Sequence, residues 1–390
     1  MEGVGRSEKE LMTEDAKVEI RRGLREVYVD RTRASYIDGK EGKLLYRGYN
    51  INDLAEHSTF EETAYLLLHG ELPTRSQLEA FDETLRSGRQ APDQILEVVR
   101  MTSAAHPMDA LRTAISASAA FEPDASDISI ASTLRKGIRL SALAPTLVTA
   151  HARIAEGKEP VPPRHDLGHA ANFLYMLFGE EPDPEDAAII DKDFVLHAEH
   201  GINASSFAAR VAASTKADIH CAITTGISVL KGPSHGGAAE GVMKMALEIG
   251  SEDLVRQYVA DRLSRKEVIV GFGHRVYRTE DPRAKHLKGD AQRLSERRGD
   301  PRWFAIISAL VEAMEPYARR GIAQNVDLWS GAIYQILGIH ESLYIPIFAM
   351  GRIPGWTAQV IEQLENNILL RPRLQYVGEM DREYVPLARR

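Results

Sequence analysis

Apolar residues recur along most of this chain at the three- and four-residue spacing that puts them on one side of a helix. Phe60, Ala64, Leu67 and Leu68 share such a face. Thr59 with Glu62 has the spacing of a capping box ahead of it, and Gly70 is placed to end it. Thr74 with Gln77 repeats the capping signal. The segments 94–121, 131–157, 168–179, 203–230, 236–249, 252–264, 284–299, 302–321 and 328–339 favour helix by length and composition. Strand signals are confined to 26–29, 35–37 and 268–270. The proline-rich stretch EPVPPRHD at 159–166 reads as a loop between helices, because proline can continue neither one. No fixed-period repeat is visible. The pattern predicts an all-α chain of short helices joined by tight turns.

Composition narrows the function classes. At 390 residues, 44% hydrophobic and 27% charged, the chain is of ordinary globular character and long enough to divide into lobes. Its formal charge of −8 argues against general attraction to nucleic acid or an anionic membrane, so an anionic ligand has to meet a locally basic pocket. No stretch approaches the ~20 apolar residues of a membrane span. Residues 1 to about 20 carry neither the apolar run of a signal peptide nor the acid-poor character of a transit peptide, and read as a solvated acidic extension. The single cysteine, Cys221, permits no internal disulfide and fits a reducing, cytoplasmic setting; it is expected as a small buried apolar residue.

Three glycine-bounded segments each carry one proton-handling side chain: GPSHGG with His235, GFGHRVYR with His274 and NVDLWSG with Asp327. One base and two hydrogen-bond donors are what a reaction needs to take a proton from carbon and add that carbon to a carbonyl. Each residue has a plainer local reading as well. His235 sits between a Pro-Ser turn and Gly-Gly, as a structural histidine would, and Asp327 precedes a helical segment, as an N-cap would. The run VIVGFGHRV lacks the third glycine of a dinucleotide fingerprint. His197, Glu199 and His200 do not make an HExxH pattern, so no metal site is expected.

These segments resemble the signature blocks of the citrate synthase family. The likeness extends in order through LLYRGYNI (44–51), EETAYLLLHGELP (61–73), HAEHGINASSFAARVAAST (197–215), DPRAK (281–285) and IFAMGRIPGWTAQVIEQ (347–363). The resemblance implies a two-domain helical fold, with a large domain from residues 1–235 and 336–390 and a small domain from 236–335 inserted into it. It implies condensation of acetyl-CoA with oxaloacetate and hydrolysis of citryl-CoA to citrate and CoA. His235 would serve the thioester oxygen from a helix N-terminus, Asp327 would be the base and His274 would polarise the ketone.

His200, Arg283, Arg352 and Arg371 would hold the oxaloacetate carboxylates, Arg371 reaching across a homodimer interface, with Asn203 in support. Gly271, Phe272, Gly273 and Arg278 would meet CoA, a co-substrate rather than a permanently bound cofactor; Arg275, Arg319 and Arg320 are weaker candidates for its phosphates. Gly201 stands where relatives more often carry an acidic residue, and Ser234 where they carry leucine. The nearest alternative is 2-methylcitrate synthase, using propionyl-CoA; Ser330-Gly331 leans towards the citrate-making branch, since methylcitrate enzymes often have alanine for the glycine. An alternative of another class is a catalytically silent paralogue that binds CoA or a tricarboxylate and regulates a partner. A citryl-CoA lyase sharing the fold is a further, more distant possibility. No response to NADH is expected, because the β-rich domain associated with it has no room ahead of YRGY.

Overall fold

Sixteen α-helices and one small sheet make up the regular structure among the described residues of the computed structural model, which are 19–24 and 26–390. The acidic extension at 1–18 lies outside them. The chain divides into residues 1–32 and 33–390. Among the described residues of the first unit, a 3₁₀ turn, Arg22–Leu24, is the only regular element. The expected strand at 26–29 does not form, because Glu26 takes φ +60 and no other strand pairs with the segment.

The second unit opens with an antiparallel sheet of β1 (Ser35–Asp38), β2 (Lys43–Tyr46) and β3 (Tyr49–Asn50), with Ser35 opposite Tyr46 and Tyr46 opposite Tyr49. The helices follow as α1 (Ile51–His57), α2 (Phe60–His69), α3 (Arg75–Ser87), α4 (Asp93–Met101), α5 (Pro107–Ser118), α6 (Ile130–Ala155), α7 (His169–Phe178) and α8 (Pro184–His197). Next come α9 (Ala204–Ser214), α10 (Ile219–Leu230), α11 (Ala238–Ile249), α12 (Val255–Ser264), α13 (Ala284–Arg298), α14 (Arg302–Ala318), α15 (Asp327–Ile336) and α16 (Tyr344–Glu365).

Local chemistry sets many of these boundaries. Thr59 caps α2 by accepting from the Glu62 N–H, and Gly70 ends it at φ +94; Thr74 and Gln77 form both halves of a capping box on α3. Two expected long helices are each broken in two. His106 caps α5, whose first residue is Pro107, so 94–121 cannot run through. Lys216 at φ +65 and the Asp218 cap of α10 interrupt 203–230. Residues 268–270 form no strand, since the left-handed Gly271 ends any extension and only one bridge, Phe272 to Gln324, forms nearby.

The core centres on α6 and α16. Both bury most of their residues, and α16 packs on α6, α8, α9 and α10. The helices α11 to α15 pack chiefly on one another, and α13 meets α8 through ion pairs of Lys192 with Asp290 and of Arg297 and Arg298 with Asp186. Cys221 is exposed, contrary to the buried position expected. Its position is in the first turn of α10, where its thiol donates to the Asp218 capping carboxylate, and burial together with Asp218 raises its pKa. No described helix is long and apolar enough to cross a membrane.

The sheet holds two loops that matter below. Ser35 Oγ donates to Glu199 at 3.0 Å and accepts the Gly201 N–H, while Tyr46 OH donates to Leu196 O at 3.1 Å and accepts the Glu199 N–H. The β1–β2 turn reaches the other loop, with the Arg278 N–H donating to Gly39 O at 2.7 Å.

Candidate active site

Residues 271–273 pair with 323–325, and this pairing ties two of the three proton-handling segments together. Gly273 N donates to Ala323 O at 2.7 Å, Asn325 N donates to Gly271 O at 3.0 Å, and Asn325 Nδ2 donates to Gly273 O. Gly271 has φ +88, and a Cβ there would stand 2.6 Å from Leu328 Cδ1, so the position requires glycine. His274 therefore leaves one strand-like segment and Asp327 the other.

Asp327 is the first residue of α15, not its cap. The cap position is Val326, so the carboxylate caps no backbone N–H and, among the described residues, makes no hydrogen bond or ion pair. Burial beside the fully enclosed Leu328 and Trp329 raises its pKa, against the pull of His197 and Arg283. Behind it, Asp193 accepts from Ser330 Oγ at 3.0 Å and from Tyr334 OH, and lies 3.3 Å from His197. An unspent, poorly hydrated carboxylate is what a carbon base requires.

His274 Nδ1 accepts the N–H groups of Val276 and Tyr277 at 3.0 and 3.2 Å. The proton of the neutral ring must then be on Nε2, leaving that N–H to donate. Burial, with Arg283 close by, holds the pKa at about 4. His235 is fixed in the mirror sense. Its Nε2 meets both the Ser205 N–H, at 3.3 Å, and the Ser205 hydroxyl, at 2.9 Å; accepting from them leaves the proton on Nδ1, and burial with Arg352 nearby holds its pKa at about 4.

Ser205 is itself held by Trp356 Nε1, which donates to its Oγ at 3.1 Å, and by Asn203 Oδ1, which accepts its N–H at 3.1 Å. His235 lies in the turn that leads into α11, just ahead of its cap, Gly237. Its neutral state follows from burial and from Arg352 nearby.

Two buried arginines face this group. Asp281 grips Arg283 in a fork, accepting from Nε at 2.9 Å and NH2 at 2.7 Å. Burial acts to lower the Arg283 pKa, but Asp281 outweighs it and the pKa is raised. Arg352 donates through Nε to His197 O, its guanidinium lies 4.6 Å over the Phe348 ring, and burial lowers its pKa to about 10. Arg352 acts electrostatically on His200, His235 and Asp327, and Arg283 acts on His200, His274 and Asp327. The six residues form one site.

His200 is buried, its ring centroid is 5.1 Å from that of His274, and burial with Arg283 holds its pKa well below the ordinary value. Asn203 supports its loop, donating to the carbonyls of His200 and Gly201 at 3.3 Å while capping α9. Gly201 has φ +59, where a side chain would be strained, and its N–H is held by Ser35. The sheet thus supplies the support that the missing acidic side chain put in question.

Arg371 is not brought to this site within the chain. It is exposed in the C-terminal stretch after α16. Arg275, Arg278, Arg319 and Arg320 are exposed, while Gly271 and Phe272 are buried and Gly273 half-buried. Ser234 is exposed. Among the described residues no group of three or more His, Cys, Asp or Glu is arranged to hold a metal. Sequence reasoning did not single out Ser205, Tyr277, Asp281 or Trp356; only Asp281 had a local signal, as a carboxylate two residues before an arginine.

The family model described as citrate synthase, C-terminal domain, matches residues 23–373. The chain is 44% identical over 349 residues to citrate synthase 2 of Bacillus subtilis, covering 89% of this chain and 93% of that protein. It is 41% identical over 371 residues to 2-methylcitrate synthase of Mycobacterium tuberculosis, covering 95% and 93%. It also superposes with a TM-score of 0.90, at 33% identity and covering 95% and 100% of the two chains, on a citrate synthase from Thermoplasma acidophilum in ternary complex with carboxymethyl coenzyme A and oxaloacetate. By its site, its fold and these relatives, the chain belongs to the citrate synthase family and is an acyltransferase of the citrate synthase type.

Proposed function

We propose that the protein condenses acetyl-CoA with oxaloacetate and hydrolyses the resulting citryl-CoA to citrate and CoA. The observation that carries this reading is the convergence of an unpartnered Asp327 carboxylate, two neutral histidines with fixed tautomers and two buried arginines. Arg283 and Arg352 pair with the oxaloacetate carboxylates, as guanidinium forks do. Asp327 takes a proton from the acetyl methyl group while His235 Nδ1–H donates to the thioester oxygen, giving an enol. The enol carbon attacks the oxaloacetate ketone, and His274 Nε2–H donates to the oxygen as it becomes an alcohol. Water then adds to the citryl thioester, and CoA leaves as the thiol.

Closure of a small lobe at 236–335 over a large one would exclude water until citryl-CoA has formed; the mutual packing of α11 to α15 supports such a unit. Gly271, Phe272, Gly273 and the exposed Arg278 would meet CoA, and no permanently held cofactor enters the scheme. A homodimer would complete the site with Arg371 of a second copy. The exposed Leu374, Tyr376, Val377 and Leu387 beyond Arg371 support a tail that another chain covers. The lone cysteine favours a reducing compartment such as the cytoplasm.

The relative named 2-methylcitrate synthase supports a second reading, with propionyl-CoA as the acyl donor. One methylene gives only about 1–3 kcal/mol of discrimination. Gly331 supports the acetyl reading, because a Cβ there would stand 3.1 Å from Ala239 O and Met243 Cγ of the helix that follows His235. Thiol release from acetyl-CoA and from propionyl-CoA, each with oxaloacetate, decides between them on one preparation of measured oligomeric state. Higher kcat/KM for acetyl-CoA is expected. Preference for propionyl-CoA moves the assignment to 2-methylcitrate synthase, and release from neither leaves a silent paralogue.

The pH dependence of kcat follows from the site's charges. Asp327 acts as the carboxylate, so activity falls as pH drops through its raised pKa, above the ordinary 3.8. His235 and His274 stay neutral down to about pH 4, so their protonation adds no limb near 6.5. A limb at 6.5 that disappeared on replacing either histidine would contradict this.

A further inference from the structure

His200 differs from the other two histidines in what fixes its ring. His235 and His274 each accept a backbone N–H, which no substitution removes cleanly. The only hydrogen-bond partner of His200 Nε2 among the described residues is a side chain, the hydroxyl of Tyr277, at 3.1 Å. Tyr277 is fully buried, and its hydroxyl has no other hydrogen-bond partner among the described residues. Its backbone N–H is one of the two donors to His274 Nδ1, and its ring centroid lies 4.7 Å from that of His274.

The direction of the Tyr277–His200 bond follows from the cost of the alternative. If His200 Nε2–H donated to the phenol oxygen, the phenol proton would be buried without an acceptor, a loss of about 1–3 kcal/mol. The Nδ1 lone pair would then face a substrate rich in oxygen. If the phenol donates, both groups are satisfied and Nδ1 carries the proton. No described residue hydrogen-bonds to Nδ1, and that nitrogen is not closed off from solvent.

We propose that Tyr277 is a positioning residue for oxaloacetate: its hydroxyl holds His200 in the tautomer whose Nδ1–H donates to the substrate, while its backbone N–H sets His274. One residue thereby aligns both donors that meet the same substrate. The inference rests on the reading of oxaloacetate as substrate given above. It places a binding determinant on a tyrosine that touches no substrate itself.

Tyr277→Phe keeps the ring and the backbone N–H and removes only the hydroxyl, so it separates the two functions. Calorimetric titration of oxaloacetate into the free enzyme should show Kd raised about tenfold, with the KM for acetyl-CoA changed by less than about twofold. In ¹⁵N-histidine spectra, the His200 signals should shift away from the Nδ1–H pattern while those of His274 stay in place. An unchanged oxaloacetate Kd, an unshifted His200 pattern, or an equal loss in both substrates with a lowered Tm overturns the proposal. A wild-type enzyme that neither binds oxaloacetate nor releases CoA from acetyl-CoA in its presence would instead overturn the underlying reading, and the histidine spectra alone would still report whether the hydroxyl sets the tautomer.

Discussion

Asp327→Ala lowers kcat for thiol release by about a thousandfold, within the range ascribed to a positioned general base. The size follows from what the carboxylate does and does not do in the fold. It caps no helix and, among the described residues, makes no hydrogen bond or ion pair that its removal would break. Its raised pKa means that the folded chain bears a cost for keeping the charge among Leu328, Trp329 and the Asp193 cluster. The variant is accordingly expected to melt no lower than the parent, and its affinity for oxaloacetate, which rests on the arginines, should persist. Single-turnover release of CoA and a melting curve on the same sample check all three points. Undiminished condensation by a folded variant would refute Asp327 as the base.

His235→Ala is expected to lower kcat by about a hundredfold to a thousandfold, the range for losing one preorganised donor at a developing oxyanion. The ring is held at one end by the Ser205 N–H and so offers a single N–H at the other, with no proton to shed first. Loss of that donor affects the enol-forming step and leaves oxaloacetate binding nearly intact, the opposite division from Tyr277→Phe. Exchange of the acetyl methyl protons with deuterated water, measured with a non-condensing oxaloacetate analogue, should fall in parallel with kcat. Exchange at the parent rate would place His235 outside enol formation.

The candidate residues could be picked out because they sit in short glycine-bounded runs that can be read without tertiary context. His235, His274, Asp327, His200, Arg283 and Arg352 come together as those runs suggested. Ser205 and Tyr277 gave no such signal. Their importance comes from which ring nitrogen they face, and His200 and Tyr277 are 77 residues apart in sequence. The same limit applied to the helices. Composition favoured one helix across 203–230, but Lys216 and the Asp218 cap divided it; Asp183 and Pro184 open α8 with a cap and an N1 proline that went unread. Cys221 was misjudged from residue type alone, where the helix position next to a capping aspartate decided its exposure.

The small sheet has a consequence for how the chain is made. Its residues leave the ribosome early, yet Tyr46 finds Leu196 only 150 positions later and Ser35 finds Glu199 after 164. Gly39 waits longer still for Arg278. Contacts of such separation carry a large loop-closure cost and form late. The hairpin must therefore remain unclaimed through most of synthesis, its Leu44 and Tyr46 without the core that buries them in the finished fold. During that interval it is a segment for a chaperone to shield, and catalytic competence arrives as one of the last events of folding rather than growing with the chain.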